Sequence, residues 1–194
     1  MQKPAFYLVN AITLYRLLAA FFLIYLVISG QPDVFKWLLA LSFFTDLIDG
    51  YLARKFKVTS IAGAMIDSIG DDLTIVAGMT GMYFFKYDFV YEERISLLLL
   101  FSLFILQIIL SLIRYRKISS FHTLLAKVAA ILQGSFMILL FLLPQPLYPL
   151  FYLAVLVTFL DLLEEIILVI LLREWKANVK GLYWILKEEK KPAD

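Results

Sequence analysis

Residues 95–113 read ISLLLLFSLFILQIILSLI, a run without one charged side chain, in which three serines and Gln107 are the polar members. A bilayer's hydrocarbon core is about 30 Å thick and takes roughly 20 apolar residues of helix to cross. Working outward from Ile95–Ile113, five more segments meet the same test. They run from about Phe6 to Ile28, Val34 to Arg54, Ile61 to Phe85, Leu124 to Leu143 and Leu147 to Leu172. Turn signals separate them: Gly30-Gln31-Pro32-Asp33, the polar stretch Lys86–Arg94 and Pro144-Gln145-Pro146. The totals agree. Of 194 residues, 62% are hydrophobic and 18% charged, against roughly 45–50% and about 25% in soluble domains. A soluble enzyme, a disordered tail and a nucleic-acid-binding domain are poor readings of that composition.

Lipid leaves an open backbone without hydrogen-bond partners, and these segments are too long for barrel strands, so helices are expected. The expectation is one all-α integral membrane domain over residues 1–194, with six transmembrane helices. Basic residues set its orientation. With the N-terminus cytoplasmic, fifteen of the 18 lysines and arginines fall on the inner side and only Lys36, Lys86 and Arg94 on the outer. Both termini are then cytoplasmic. From Arg173 to Asp194 the tail mixes Trp175, Leu182, Tyr183, Trp184 and Ile185 with lysines, as a helix lying in the membrane interface does. There is no cysteine and one histidine, His122, which excludes disulfides, thiolate nucleophiles and multi-histidine zinc sites. No removable signal peptide is read at the N-terminus.

Charge within a span costs about 2.5–3.5 kcal/mol per residue on the insertion scale, so it marks function. It clusters in residues 46–72, DLIDGYLARKFKVTSIAGAMIDSIGDD. Asp46 and Asp49 are three apart and share one helix face; Asp67 and Asp71 are four apart and share another. Two antiparallel helices joined by a short loop bring both pairs to one depth near the inner boundary. Four such anions need a compensating cation, and oxygen-only donors fit Mg²⁺, Mn²⁺ or Ca²⁺. Gly50 and Gly63 let a ligand approach the backbone, and Arg54 offers a forked donor to phosphate. Metal-assisted phosphoryl chemistry at a membrane surface is the reading; a divalent-cation transporter using the same acids is the alternative. Transporter sites lie near mid-membrane among repeats, and neither feature is seen in the sequence.

The stretch resembles the CDP-alcohol phosphotransferases, whose pattern is D-x-x-D-G-x-x-A-R, eight residues, then G-x-x-x-D-x-x-x-D. Asp46, Asp49, Gly50, Ala53, Arg54, Gly63, Asp67 and Asp71 fill all the fixed positions at that spacing. The six-helix layout and the opening Asn10, Thr13 and Arg16 resemble the family as well. The resemblance implies that Asp46, Asp49, Asp67 and Asp71 hold one or two Mg²⁺ or Mn²⁺ ions, and that Asp71 is the general base on the acceptor hydroxyl. It implies that Gly50, Ala53, Arg54 and Gly63 bind the CDP moiety. The implied substrates are CDP-diacylglycerol and a small polar alcohol, with CMP released, and the implied assembly is a homodimer. The implied setting is a bacterial inner membrane with the site facing the cytoplasm.

For the acceptor, Arg114, Arg116 and Lys127 are the candidate cations, since a phosphorylated alcohol such as glycerol 3-phosphate or inositol phosphate needs two or three. Ser68 and Asp72 stand where the bacterial glycerol-phosphate branch usually has proline and lysine. Asp161, Glu164 and Glu165 lie in the sixth segment, and a pairing of Asp161 and Glu165 with Arg16 or Lys127 is expected. The small residues from Ala62 to Gly81 are expected to pack helices closely.

Overall fold

A computed structural model describes residues 3–56, 61–117, 121, 123–172, 174–175 and 179–189, leaving out the side chains of 3–13, 16, 46–56, 61–69, 71–72 and 188–189. Among the described residues the protein is all helix, with no strand. The helices are α1 (Lys3–Ile28), α2 (Pro32–Phe56), α3 (Ile61–Phe85), α4 (Tyr87–Glu92), α5 (Arg94–Tyr115), α6 (Leu124–Leu142), α7 (Tyr148–Leu171) and α8 (Leu182–Glu189). Two of them, α5 and α6, are long and apolar enough to cross a membrane by length and composition.

Six of the helices coincide with the six segments read from the sequence. Two details differ. The polar stretch after α3 is not a plain connector, because it winds into the short helix α4. Among the described residues of the amphipathic tail, helix begins at Leu182, after the positive-φ residue Gly181.

The chain divides into two compact units, residues 1–91 with 141–144, and residues 92–140 with 145–194. In the first, α1 packs against α2 and α3, and α2 against α3. The α1–α2 corner is set by Gly30 at φ 66°, where Gly30 N–H donates to Val27 (3.1 Å) and Gln31 N–H to Leu26 (3.0 Å). These two bonds close the end of α1, and Pro32 then starts α2 where no intrahelical donor is needed. Asp33 sits in the first turn of α2, 2.6 Å from Lys36. Along α3, Gly70, Thr74, Ala77, Gly78 and Gly81 are buried on one face, so the expectation of close packing on small residues holds there. Thr74 satisfies its hydroxyl on the Gly70 carbonyl at 2.8 Å. Ala62, Gly63 and Ala64 lie outside the described side chains.

In the second unit α5 and α7 run parallel. At their beginnings Tyr152 donates to Glu93 (2.6 Å) and Tyr148 to Glu92 (2.8 Å). At their ends Tyr115 donates to the carbonyls of Val169 (3.0 Å) and Leu172 (2.8 Å). Helix α6 is stitched to α7 by Gln133 on Thr158 (2.6 Å) and by the tilted ring pair Phe136–Phe151. The burial pattern is inverted relative to a soluble helix. The buried residues of α5 are Gln107 and Ser111, while Ile95 and Ile113 are each 75% exposed. Gln107 and Ser111 face protein while most aliphatic side chains face outward, the arrangement that suits hydrocarbon surroundings. The exposed Ser102 returns its hydroxyl to the Leu98 carbonyl of its own helix.

Candidate functional site

Helix α2 carries Asp46, Asp49, Gly50, Ala53 and Arg54, and α3 carries Gly63, Asp67 and Asp71. Both belong to the first unit and pack against each other. Their side chains lie outside the described residues, so the backbone register carries the geometry. The contact that sets it is Phe35, at the start of α2, against Gly81, near the end of α3, with a Cβ built on Gly81 only 2.7 Å from ring atom Cε1 of Phe35. The same number of residues separates Phe35 from Asp49 as separates Asp67 from Gly81. Antiparallel helices rising about 1.5 Å per residue therefore bring Asp49 and Asp67 to one level, about 21 Å from that contact. Asp46 likewise stands within one residue of the level of Asp71. This is the register that a shared carboxylate site on two helices requires. Asn10, Thr13 and Arg16 lie on α1, which packs on both.

The acceptor candidates lie in the second unit. Arg114, in the last turn of α5, donates Nε–H to the Leu172 carbonyl at 3.1 Å, beside the Tyr115 hydroxyl on the same oxygen. Arg114 thus already has a structural task, capping the end of α7. Arg116 is an exposed left-handed residue (φ 54°) that closes α5 through its N–H on Leu112. Lys127 is exposed in the first turns of α6. His122 and residues 57–60 are outside the described residues.

Of the two partners expected for Asp161 and Glu165, Arg16 or Lys127, Lys127 pairs with neither among the described residues. Among the described residues Asp161 makes no ion pair. Buried to 9% exposure, it accepts the Thr123 hydroxyl at 3.2 Å, and Thr123 Oγ1 in turn accepts Ala126 N–H at 3.0 Å. Thr123 is thus the N-cap of α6 and the partner of Asp161 at once. The other proposed partner, Arg16, lies outside the described side chains. Glu164 has a role the sequence did not indicate: its Oε1 accepts Leu182 N–H at 2.8 Å, capping α8. Gly181, at φ 145°, sits against that carboxylate, and a Cβ there would come within 2.9 Å of Oε1. A glycine immediately before an apolar–basic run was the one available signal.

Thr123→Val removes a cap worth about 1 kcal/mol and leaves a buried carboxylate oxygen without its donor, a further cost of about 1–3 kcal/mol. The expected result is a lowered unfolding midpoint on titration with SDS in mixed micelles. Thr123→Ser, which keeps the hydroxyl, should recover most of the loss; an unchanged midpoint for the valine variant would remove Thr123 from this role.

Comparison with known proteins places these helices in context. Residues 6–172 match the family model described as CDP-alcohol phosphatidyltransferase. Over 71 residues the chain is 39% identical to the cardiolipin synthase (CMP-forming) / mitochondrial hydrolase fusion protein of Schizosaccharomyces pombe, covering 37% of this chain and 12% of that protein. It is 38% identical over 71 residues to the CDP-diacylglycerol–glycerol-3-phosphate 3-phosphatidyltransferase of Haemophilus influenzae (35% and 38%). It is 35% identical over 70 residues to the CDP-diacylglycerol–inositol 3-phosphatidyltransferase of Saccharomyces cerevisiae (36% and 31%). The matched region thus spans well under half of the length of each of these relatives. No solved structure matches.

Proposed function

The chain belongs to the CDP-alcohol phosphatidyltransferase family, and on that premise we propose that it transfers a phosphatidyl group from CDP-diacylglycerol to the hydroxyl of a small polar alcohol and releases CMP. The observation that carries this reading is the complete eight-position pattern on two adjoining helices whose register levels Asp46 and Asp49 with Asp71 and Asp67. In the proposed topology α1, α2, α3, α5, α6 and α7 span the membrane. Both termini and the site face the cytoplasm of a bacterial cell, and the protein is a homodimer. The charge asymmetry of the sequence and the outward-facing apolar residues of α5 support the membrane part of the reading.

The donor set fits a hard divalent cation, because four aspartates stand at similar levels of two adjoining helices and neither cysteine nor a histidine group competes. Asp46, Asp49, Asp67 and Asp71 would hold Mg²⁺ or Mn²⁺. An ion held there would supply charge neutralisation at the pyrophosphate and so make CMP a better leaving group. Arg54, little more than one helical turn beyond Asp49, binds a phosphate oxygen, while Gly50, Ala53 and Gly63 leave room for the nucleotide. Asp71 accepts the proton of the acceptor hydroxyl. The freed oxygen forms a bond to the phosphatidyl phosphorus, and the bond from that phosphorus to the bridging oxygen breaks, so CMP leaves with the bridging oxygen. Arg114, Arg116 and Lys127 would receive the acceptor's phosphate. The acceptor class is a polyol or its phosphate, with glycerol 3-phosphate and inositol phosphate as the leading members.

The test is CMP release by the purified chain from CDP-diacylglycerol with Mg²⁺ or Mn²⁺ and a panel of glycerol 3-phosphate, inositol, inositol phosphate and serine. One acceptor should raise release well above the alcohol-free rate. No release with any of them would overturn the proposal.

A further inference from the structure

Helix α8 has one face accounted for and one that is not. Leu182 and Ile185 pack on a core of Phe121, Leu168, Val169, Leu172 and Val179. The other face presents Tyr183 (66% exposed), Trp184, Leu186 and Lys187 to the outside. Next to it in the same unit, Lys117 at the end of α5 stands over the Trp175 ring, 5.2 Å from its centre, and Lys180 is exposed just before α8. Among the described side chains Glu174 is the exposed acid of this neighbourhood; Glu188 and Glu189, at the end of α8, lie outside them. Aromatic rings interleaved with lysines at the helix ends of a membrane bundle match one kind of surface: rings that settle at headgroup depth, and ammonium groups that meet lipid phosphates.

We infer that Lys117, Trp175, Lys180, Tyr183, Trp184 and Lys187 form a docking surface for anionic phospholipid headgroups. The inference rests on the membrane reading above but not on catalysis. The charge complementarity is specific. A zwitterionic surface would hold the rings but gains little from three exposed lysines, whereas an anionic one gains from each. The geometry is held by the Glu164 cap and by Gly181, which fix the start of α8 against α7. Glu164 is therefore a positioning residue for this surface.

The chain has three tryptophans, so Trp37→Phe leaves Trp175 and Trp184 as reporters on the surface itself. The experiment is tryptophan quenching by brominated lipid, with one full-length chain per nanodisc. Discs carry either brominated phosphatidylglycerol in unlabelled phosphatidylcholine or the reverse. Brominated phosphatidylglycerol is expected to quench more at equal mole fraction, and the preference should collapse in about 1 M salt, where screening acts over about 3 Å. Each lysine near an anionic surface favours it by about fivefold. Lys117→Gln, Lys180→Gln and Lys187→Gln combined should therefore abolish the preference, and the three arginine replacements should keep it. Equal quenching by the two lipids, a preference untouched by the glutamine variant, or quenching that appears only with two chains per disc would each overturn the inference. The last would assign the surface to a second copy. None of these readings uses CMP release, so failure here is distinguishable from failure of the transferase reading.

Discussion

Asp71→Asn is expected to lower CMP release by about 10²–10⁴-fold, the range that a positioned general base supplies. Asparagine keeps the size and shape of the side chain on α3 but takes no proton from the acceptor hydroxyl. The same side chain is assigned to the metal group, so two measurements are needed to read the loss. Titration of Mn²⁺ by electron paramagnetic resonance reports on the ligand role, and single-turnover release at saturating Mn²⁺ reports on the base. If saturating metal restores the rate, Asp71 is a ligand and the base lies elsewhere. If the rate stays low with metal bound, the proton-accepting role stands. Unchanged release at ordinary metal concentration would remove Asp71 from the reaction. Chelation with EDTA should likewise abolish turnover in the unaltered chain, with recovery on adding Mg²⁺ or Mn²⁺, because four carboxylates cannot hold a pyrophosphate beside them without a cation.

How much of this was legible beforehand depended on the kind of signal. The long helices were, because in lipid an apolar run must be helical and Gly30-Gln31-Pro32 or Pro144-Gln145-Pro146 must interrupt it. Helix α4 was not, because its six residues, YDFVYE, are too few for a period and too polar for a span. The placement of the aspartates on α2 and α3 was legible for a different reason. Their spacing belongs to a family pattern, and the eight positions state that pattern in full. The partners of the sixth segment's acids were opaque. Opposite charge is the partner a sequence reader looks for, yet Asp161 is met by a threonine hydroxyl and Glu164 by a backbone N–H. A hydroxyl and a peptide group occur everywhere along a chain and carry no positional signal. The same holds for Arg114, whose charge pointed to a phosphate while its Nε–H caps a helix end.

Gly81→Ala is expected to reduce turnover about a hundredfold although the residue is some 21 Å along the helix from the aspartates. A methyl group at Gly81 runs into the Phe35 ring, whose Cζ is its nearest neighbour and whose Cε1 lies at 2.7 Å. An exposed ring would swing aside. This one is wholly buried, with Phe85 edge-on at 5.4 Å and Phe141 edge-on at 5.0 Å. The strain therefore passes to the backbone, and α2 and α3 must part or slide. Overpacking of this kind costs about 1–3 kcal/mol of stability. For the proposed reaction the displacement matters more: carboxylates from two helices would have to share one divalent cation, and a shift of about 1 Å can cost about 10²-fold. The loss should fall on kcat more than on KM for the alcohol, whose proposed contacts lie in the second unit. Phe35→Leu in the Gly81→Ala background opens the space the methyl needs and should return most of the activity. On its own, Phe35→Leu leaves a void and should lower stability. That pattern is a coupling between two residues, neither of which touches substrate. Full activity in Gly81→Ala, or no rescue by the second substitution, would mean that this contact does not set the register on which the four aspartates depend.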